Sequence, residues 1–199
     1  MKRFFALGAG LLVVAAALFG CASNSKMASA GWVTLIDYGS GLENFSRVGD
    51  ANWREQDGAI QADKRGQETG YLVSRSSYTD FIAYAEVWVN DEGNSGIFLR
   101  LSDRQKVGSA TAYEVQINDK RSDGYGTGAI SNVAKVSPAV MAGGKWNSFE
   151  ITARGAQLTV KMNGVQTVNV SDRSFFHGPI ALQYSAGIVK FRKLQIRPI

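Results

Sequence analysis

The sequence predicts an all-β domain of paired antiparallel sheets, a sandwich or a barrel, preceded by a short signal segment. Three observations carry this reading. From Gly31 onward the apolar residues recur at every second position rather than every 3.6. The apolar runs are short and are separated by turn dipeptides, among them Asp57-Gly58 and Asn163-Gly164. No stretch after the signal sustains an amphipathic helix. A chain of 199 residues with 22 glycines and 3 prolines fits one such domain, and its apolar content of 45% is enough for a core without disulfide staples.

Taken in order, residues 1–20 have the pattern of a secretory signal: Lys2 and Arg3, an uncharged apolar run, then small residues before Cys21. The tetrapeptide LFGC, Leu18 to Cys21, resembles the bacterial lipobox. By that resemblance Cys21 becomes the first mature residue and carries lipid, with several acyl chains giving stable membrane anchoring. Ala22 and Ser23 after the cysteine point to the outer membrane of a Gram-negative envelope. Residues 21–30 then form a lipidated, small and polar tether, and residues 31–199 the domain.

Within the domain, FIAYAEVWV (Phe81 to Val89), YEVQI (Tyr113 to Ile117), FEITA (Phe149 to Ala153) and LTVKM (Leu158 to Met162) alternate as half-buried strands do. In a sandwich, Tyr113, Val115 and Ile117 face the core while Glu114, Gln116 and Asn118 project outward. By the same rule Ile97, Leu99 and Leu101 face inward, and Phe98, Arg100 and Ser102 outward. A guanidinium, a carboxylate and two amides on one face have two explanations. Either the face is merely wet, with Arg100 and Glu114 forming a cross-strand ion pair, or it is the floor of a binding site. Trp88 could face the same groove, and Tyr125, in the glycine-rich GYGTGAI segment, could lie at its border. Trp146 reads as core or sheet-edge packing.

Composition removes several classes of function. Loss of Lys2 and Arg3 with the signal takes the 22 basic residues to 20 against 17 acidic, a net of +3 with no long basic cluster, so nucleic acid is not an expected partner. The chain has 1 histidine and 1 cysteine. His177, in FFHGPI, reads as a turn residue, a zinc site built on several histidines is impossible, and Cys21 is committed to lipid. A hard cation needs only oxygens. Asp91, Glu92, Asp119 and Asp123 are therefore either a loose oxygen cage for a divalent ion or a solvated acidic rim.

The blocks GWVTLID, WREQDGAIQA, NSGIFLR, YEVQIND, GKWNSFEI, MNG and IALQ…VKFRKLQIRPI occur in this order from Gly31 to Ile199. Together they resemble the 3-keto-disaccharide hydrolase domain family of bacterial secreted and surface proteins. The resemblance implies a concanavalin-like jelly roll whose concave sheet binds sugar, and chemistry on glycosides already oxidised to a ketone at carbon 3. A 3-ketone acidifies the proton on carbon 2, so a base can take it and the resulting enolate can expel the group on carbon 1. Asn94, Ser95, Gly96 and Arg100 match one family block, and Glu114, Gln116 and Asp119 another. With that chemistry Glu114 is the expected base, and Arg100 is expected to stabilise the enolate or to bind a sugar hydroxyl. Asn94, Gln116 and Gln183 become sugar contacts, with Trp88 and Tyr125 as rings at the groove, and Asp119 holds a sugar hydroxyl or a divalent cation. Asn118, expected as a further sugar contact, stands where the family usually has an apolar residue. Where many members read LQ-x-H-G, this chain reads LQYSAG (Leu182 to Gly187), without the histidine. Two further readings stand beside the enzyme: a glycan-binding envelope lipoprotein without turnover, and a structural lipoprotein that binds a protein partner.

Overall fold

Alternation sets the strands. In Phe81–Val89 the residues Phe81, Ala83, Ala85, Val87 and Val89 are buried, and the four between them are half-buried on the opposite side, as a strand with one face on a core requires. The computed structural model describes residues 31–199 together with Met1. Residues 2–30, on which the expectations of a signal, a lipidated Cys21 and a tether fall, lie outside the described residues.

In chain order the strands are β1 (Val33–Asp37), β2 (Phe45–Val48), β3 (Arg54–Gln56), β4 (Ala59–Ala62), β5 (Gly70–Tyr78), β6 (Phe81–Val89), β7 (Ser95–Leu99), β8 (Tyr113–Ile117), β9 (Trp146–Arg154), β10 (Gln157–Met162), β11 (Val165–Ser171), β12 (Gly178–Tyr184) and β13 (Val189–Pro198). The helical content of the described residues is one 3-10 turn at Leu42–Asn44. An eight-stranded sheet runs β11-β10-β9-β6-β13-β4-β3, with β1 also paired to β13. A five-stranded sheet runs β2-β5-β12-β7-β8. The registered pairs are antiparallel in both, and the sheets face each other as a sandwich.

Both turn dipeptides form hairpins. Asn163 and Gly164 join β10 to β11 with φ of 51 and 80, and Asp57 and Gly58 join β3 to β4 with φ of 51 and 71. Two central residues with positive φ give the turn whose twist matches that of the flanking strands. Between the sheets, Phe81, Phe149, Phe191, Leu72, Ile97 and Ile151 are fully buried, each contributing about 1.5–3 kcal/mol by leaving water.

One departure from simple alternation redirects a predicted site residue. Arg100 follows β7 with φ 55, a left-handed conformation uncommon for a residue with a side chain. The turn inverts the pattern: Leu99 joins the inter-sheet core, but Leu101 packs with Phe98 on the other face. Arg100 therefore does not project beside Glu114 as its position in the sequence suggests. Its guanidinium is fully buried and donates from Nε to the Thr79 carbonyl (2.7 Å) and from Nη1 to those of Gly155 (2.7 Å) and Phe175 (3.1 Å). Nη2 donates to Asp80 Oδ1 at 3.0 Å. One side chain thus ties the β5–β6 turn, the β9–β10 turn and the segment before β12. Nor does Arg100 pair with Glu114, whose cross-strand partner is Phe98.

Candidate functional site

The outward face of the five-stranded sheet is built from every second residue of its strands. Register aligns Ser46, Val73, Ala181, Phe98 and Glu114 in one row across β2, β5, β12, β7 and β8. The adjacent row carries Val48, Tyr71 and Gln183 on β2, β5 and β12, and pairs Gly96 with Gln116 across β7 and β8. Residues 128–131 run along the outer edge of β8. The Gly128 amide donates to the Gln116 carbonyl (2.9 Å), the Gln116 amide to Ala129 (3.0 Å) and the Ser131 amide to Glu114 (2.9 Å). That segment covers an edge that would otherwise be open, and the register sets Ser131 beside Glu114.

An apolar patch of Val73, Phe98, Leu101, Ala112 and Ala181, joined by Tyr71 and by Val107 from the loop after β7, covers part of this face. Tyr71 meets Phe98 edge-on at 5.8 Å. At the end near Gly96 the surface turns polar. A Cβ added at Gly96 would stand 3.2 Å from Glu114 Oε1 and 3.3 Å from Phe98 Cε2, so the bare glycine leaves room directly in front of the carboxyl. Glu114 is 9% exposed. Burial pushes its carboxyl above the ordinary carboxylate range, opposed by the Ser131 hydroxyl and the Arg121 guanidinium.

Gln183 Oε1 on this face is buried without a hydrogen-bond partner, and the buried Ser131 hydroxyl has no partner but the nearby Glu114 carboxyl. Gln183 Nε2 does reach Tyr71 Oη, at 3.5 Å. A buried polar atom left unpaired costs about 1–3 kcal/mol, and a ligand rich in hydroxyls would supply the missing bonds.

The remaining sequence-predicted residues divide. Asn94, half-buried, precedes β7 on the alternation of Gly96 and holds Ala186 through backbone bonds. Gln116 is buried in the row beside Glu114, and its Oε1 accepts from the Ile117 amide (3.2 Å). Asn118 lies just past β8, where its Oδ1 accepts the Lys120 amide (3.0 Å) and shapes a turn. Tyr125 sits between the cations of Arg121 and Lys135, at 5.8 and 5.7 Å.

Two assignments need correcting on geometry. Asp119 is tied to its own loops: its carboxylate accepts the Thr127 hydroxyl (2.5 Å) and the amides of Ala142 (2.9 Å) and Gly143 (2.8 Å). Glu92 pairs with Lys120, and Asp123 with Arg121. Among the described residues no group of three or more His, Cys, Asp or Glu side chains is arranged to hold a metal ion. Trp88 lies on β6, hence on the outward face of the eight-stranded sheet, across from Trp146 and Lys190. Alternation orders residues within one sheet but does not say which sheet a strand joins, and Trp88 is on the far side of the sandwich from Glu114. Trp146 shares that outer face, beneath Arg192 at 4.4 Å, rather than the core.

Ser131, Tyr71 and Arg121 were not legible as site residues. Tyr71 carries a signal in the alternation of GYLV, but Ser131 reaches the site through a loop whose pairing leaves no trace in composition. His177 is exposed and meets Thr79 Oγ1 through Nδ1 (2.9 Å), away from this face.

Residues 31–197 match the model of the 3-keto-alpha-glucoside-1,2-lyase-like domain. The chain belongs to that family. Among solved structures, a Parabacteroides distasonis protein described as a glycosyl hydrolase aligns at 22% identity and a TM-score of 0.69, over 84% of this chain and 99% of its own. A carbohydrate-binding module, CBM66 of Bacillus subtilis, aligns at 16% and 0.59, over 84% and 95%. The lumenal domain of VIP36, solved with calcium and a mannose-containing glycan, aligns at 10% and 0.60, over 83% and 88%. These likenesses establish the fold, a lectin-type jelly roll, for this lyase-like domain. No curated protein sequence matches the chain.

Proposed function

We propose that this lyase-like domain cleaves 3-keto-glycosides on the outward face of its five-stranded sheet, with Glu114 as the base. The observation that carries the proposal is one cluster: a carboxyl with its proton affinity raised by burial, facing the gap over Gly96, beside the Ser131 hydroxyl and with the buried, unpartnered Gln183 Oε1 in the adjacent row. A base that must take a weakly acidic carbon-bound proton is best with a pKa lifted toward neutrality.

In the proposed reaction the Glu114 carboxylate takes the proton from carbon 2. The electrons of that bond form the enolate of the 3-ketone. When the ketone re-forms, they become the double bond between carbons 1 and 2, and the bond from carbon 1 to the leaving oxygen breaks. That oxygen takes a proton and departs as an alcohol, and addition of water at carbon 1 would complete a net hydrolysis. The Ser131 hydroxyl is the donor suited to the ketone oxygen, and Gln183 Oε1, Gln116 and Asn94 are suited to sugar hydroxyls. Arg100, buried and bonded to Thr79, Asp80, Gly155 and Phe175, takes no part.

A second reading, glycan binding without turnover, is favoured by one specific feature: Tyr184, Ser185 and Ala186 stand where many family members carry a histidine. The experiment that separates them is release of a chromogenic alcohol from a 3-keto-glucoside by the chain from Ala22, beside Glu114→Gln and the unoxidised glucoside. Release from the keto sugar alone, lost in the variant, supports the enzyme. Absence of release, with either sugar still raising Tm, leaves the binding module. We further propose that Cys21 holds the domain at an envelope membrane, which the mass of the mature N-terminus would test.

A further inference from the structure

The outward face of the eight-stranded sheet has an order unrelated to the Glu114 site. β13 presents five residues to it, Lys190, Arg192, Lys193, Gln195 and Arg197, and four of the five are cations. An ordinary strand would alternate Arg192 and Lys193 to opposite faces. Here the register with β6 shifts between Phe191 and Lys193, and this bulge leaves Phe191 and Leu194 in the core with both cations outside.

Each cation lies over a different aromatic ring: Lys190 over Trp88 at 5.1 Å, Arg192 over Trp146 at 4.4 Å, Lys193 over Tyr38 at 5.9 Å and Arg197 over Trp32 at 5.2 Å. Three of the chain's 4 tryptophans are committed to this face. Arg197 Nε is buried without a hydrogen-bond partner. Of the acids nearby, Glu150 is matched by Lys161 off this strand, Glu86 offsets Arg192, and Asp37 stands across the strand pair from Lys193, so β13 keeps a net positive charge from its four cations.

We propose that this face lies against the anionic headgroups of the membrane to which the chain is tethered. The inference rests on the anchor reading of Cys21 for its setting, and on the face itself for its chemistry. Cations backed by tryptophan and tyrosine suit the headgroup layer, where rings with one wet and one apolar side are at home and basic side chains meet lipid phosphate. Rings already capped by cations are poor platforms for stacking sugars. Trp32 and Arg197 stand where the chain enters the domain. The nine residues from Ala22 to Ala30 reach at most about 30 Å when fully extended, which keeps this face within range of the bilayer. Docking in this way would leave the Glu114 face, on the opposite sheet, turned away from the lipid and open to soluble sugars.

Cys21 is the single cysteine, so the chain from Cys21 can be coupled through its thiol to a maleimide lipid, which supplies the anchor chemically. Tryptophan fluorescence is then read in vesicles of phosphatidylcholine, with or without phosphatidylglycerol, that contain brominated lipid. The expected result is quenching with phosphatidylglycerol only, reversed by high salt. For the uncoupled chain from Ala22, Lys190→Gln with Lys193→Gln should lower the partition coefficient about twenty-fivefold, at roughly fivefold per charge. Both lysines are partly exposed, and an unchanged Tm verifies the fold of the variant. Equal quenching in both vesicle types, quenching indifferent to the substitutions, or binding to an acidic polysaccharide in place of lipid overturns the proposal. Failure of the anchor reading appears separately, as an unmodified Cys21 in cells, because the coupling does not depend on it.

Discussion

Glu114 on β8 stands directly across the strand pair from Phe98 on β7, with the gap over Gly96 on one flank and Ser131 on the other. An apolar ring opposite a carboxyl explains why burial dominates its titration. The sign of the consequence can be worked out. A carboxyl whose folded pKa is raised holds its proton longer in the native state than in the unfolded chain. Its contribution is favourable below the unfolded value and is lost as pH rises through the folded value. Glu114→Gln should therefore raise Tm at neutral pH and leave it almost unchanged in acid, as paired thermal melts across that range would show. If Glu114 is the base, activity rises with pH on a limb above the ordinary carboxylate range.

Gly96 offers a test of the site that spares the fold. Its backbone does not need a left-handed conformation, and alanine suits a strand better than glycine by about 0.5–1 kcal/mol. Set against this is the approach of the new methyl to the Glu114 carboxyl and the Phe98 ring, at 3.2 and 3.3 Å. Gly96→Ala should change stability by less than about 1 kcal/mol yet weaken sugar binding clearly. Gly96→Val, larger and branched, should abolish binding. Titration of each variant with a glycoside by calorimetry, beside its denaturant midpoint, separates the two effects.

The sandwich was legible in the sequence because alternation is local: β6 and β8 end where the patterns end, and both turn dipeptides formed their hairpins. The polar face was legible to the same depth on β8, since Glu114 and Gln116 follow from alternation within that strand, whereas Gln183 came only from the family resemblance. What failed needed information from farther away. The alternation Ile97, Phe98, Leu99 extrapolates through Arg100 only if the backbone stays extended, and a positive φ there sends the guanidinium to four partners 20 to 75 residues distant in the chain. Trp88 obeys its strand's pattern faithfully, but sheet membership is a property of pairing, not of period. Asp119 has the side chain of a cation ligand, and only the fold shows that its oxygens already accept from loop amides.

Arg100 is accordingly a residue for stability. Lysine keeps the charge but supplies a single point of donation where the guanidinium serves three carbonyls and Asp80 in a fixed fork. Buried carbonyls left unpaired, with the ion pair to Asp80 weakened, place the expected loss for Arg100→Lys at about 2–4 kcal/mol. Chemical denaturation measures it. Below the lowered melting transition, the folded variant should bind glycoside with unchanged affinity, because the side chain does not reach the Glu114 face. A selective loss of binding or turnover at full stability would instead return Arg100 to the site.

Asp119 separates a loop tie from a metal site. Its carboxylate gathers the Thr127 hydroxyl and the Ala142 and Gly143 amides, so it joins the turn after β8 to the segment that enters β9. Asp119→Asn keeps the size but replaces one acceptor oxygen with a donor that faces an amide hydrogen. It also turns charge-assisted bonds into neutral ones, which are about half as strong. The expected cost is about 1–3 kcal/mol, with faster proteolysis of the loops between residues 119 and 143. A structural tie and a cation ligand then differ in one reading. If the loops are held by the carboxylate alone, chelator treatment of the wild type leaves Tm unchanged, and calcium or magnesium does not rescue the variant. A chelator-induced fall in the wild-type Tm, matching that caused by Asp119→Asn, would establish a bound cation at this carboxylate.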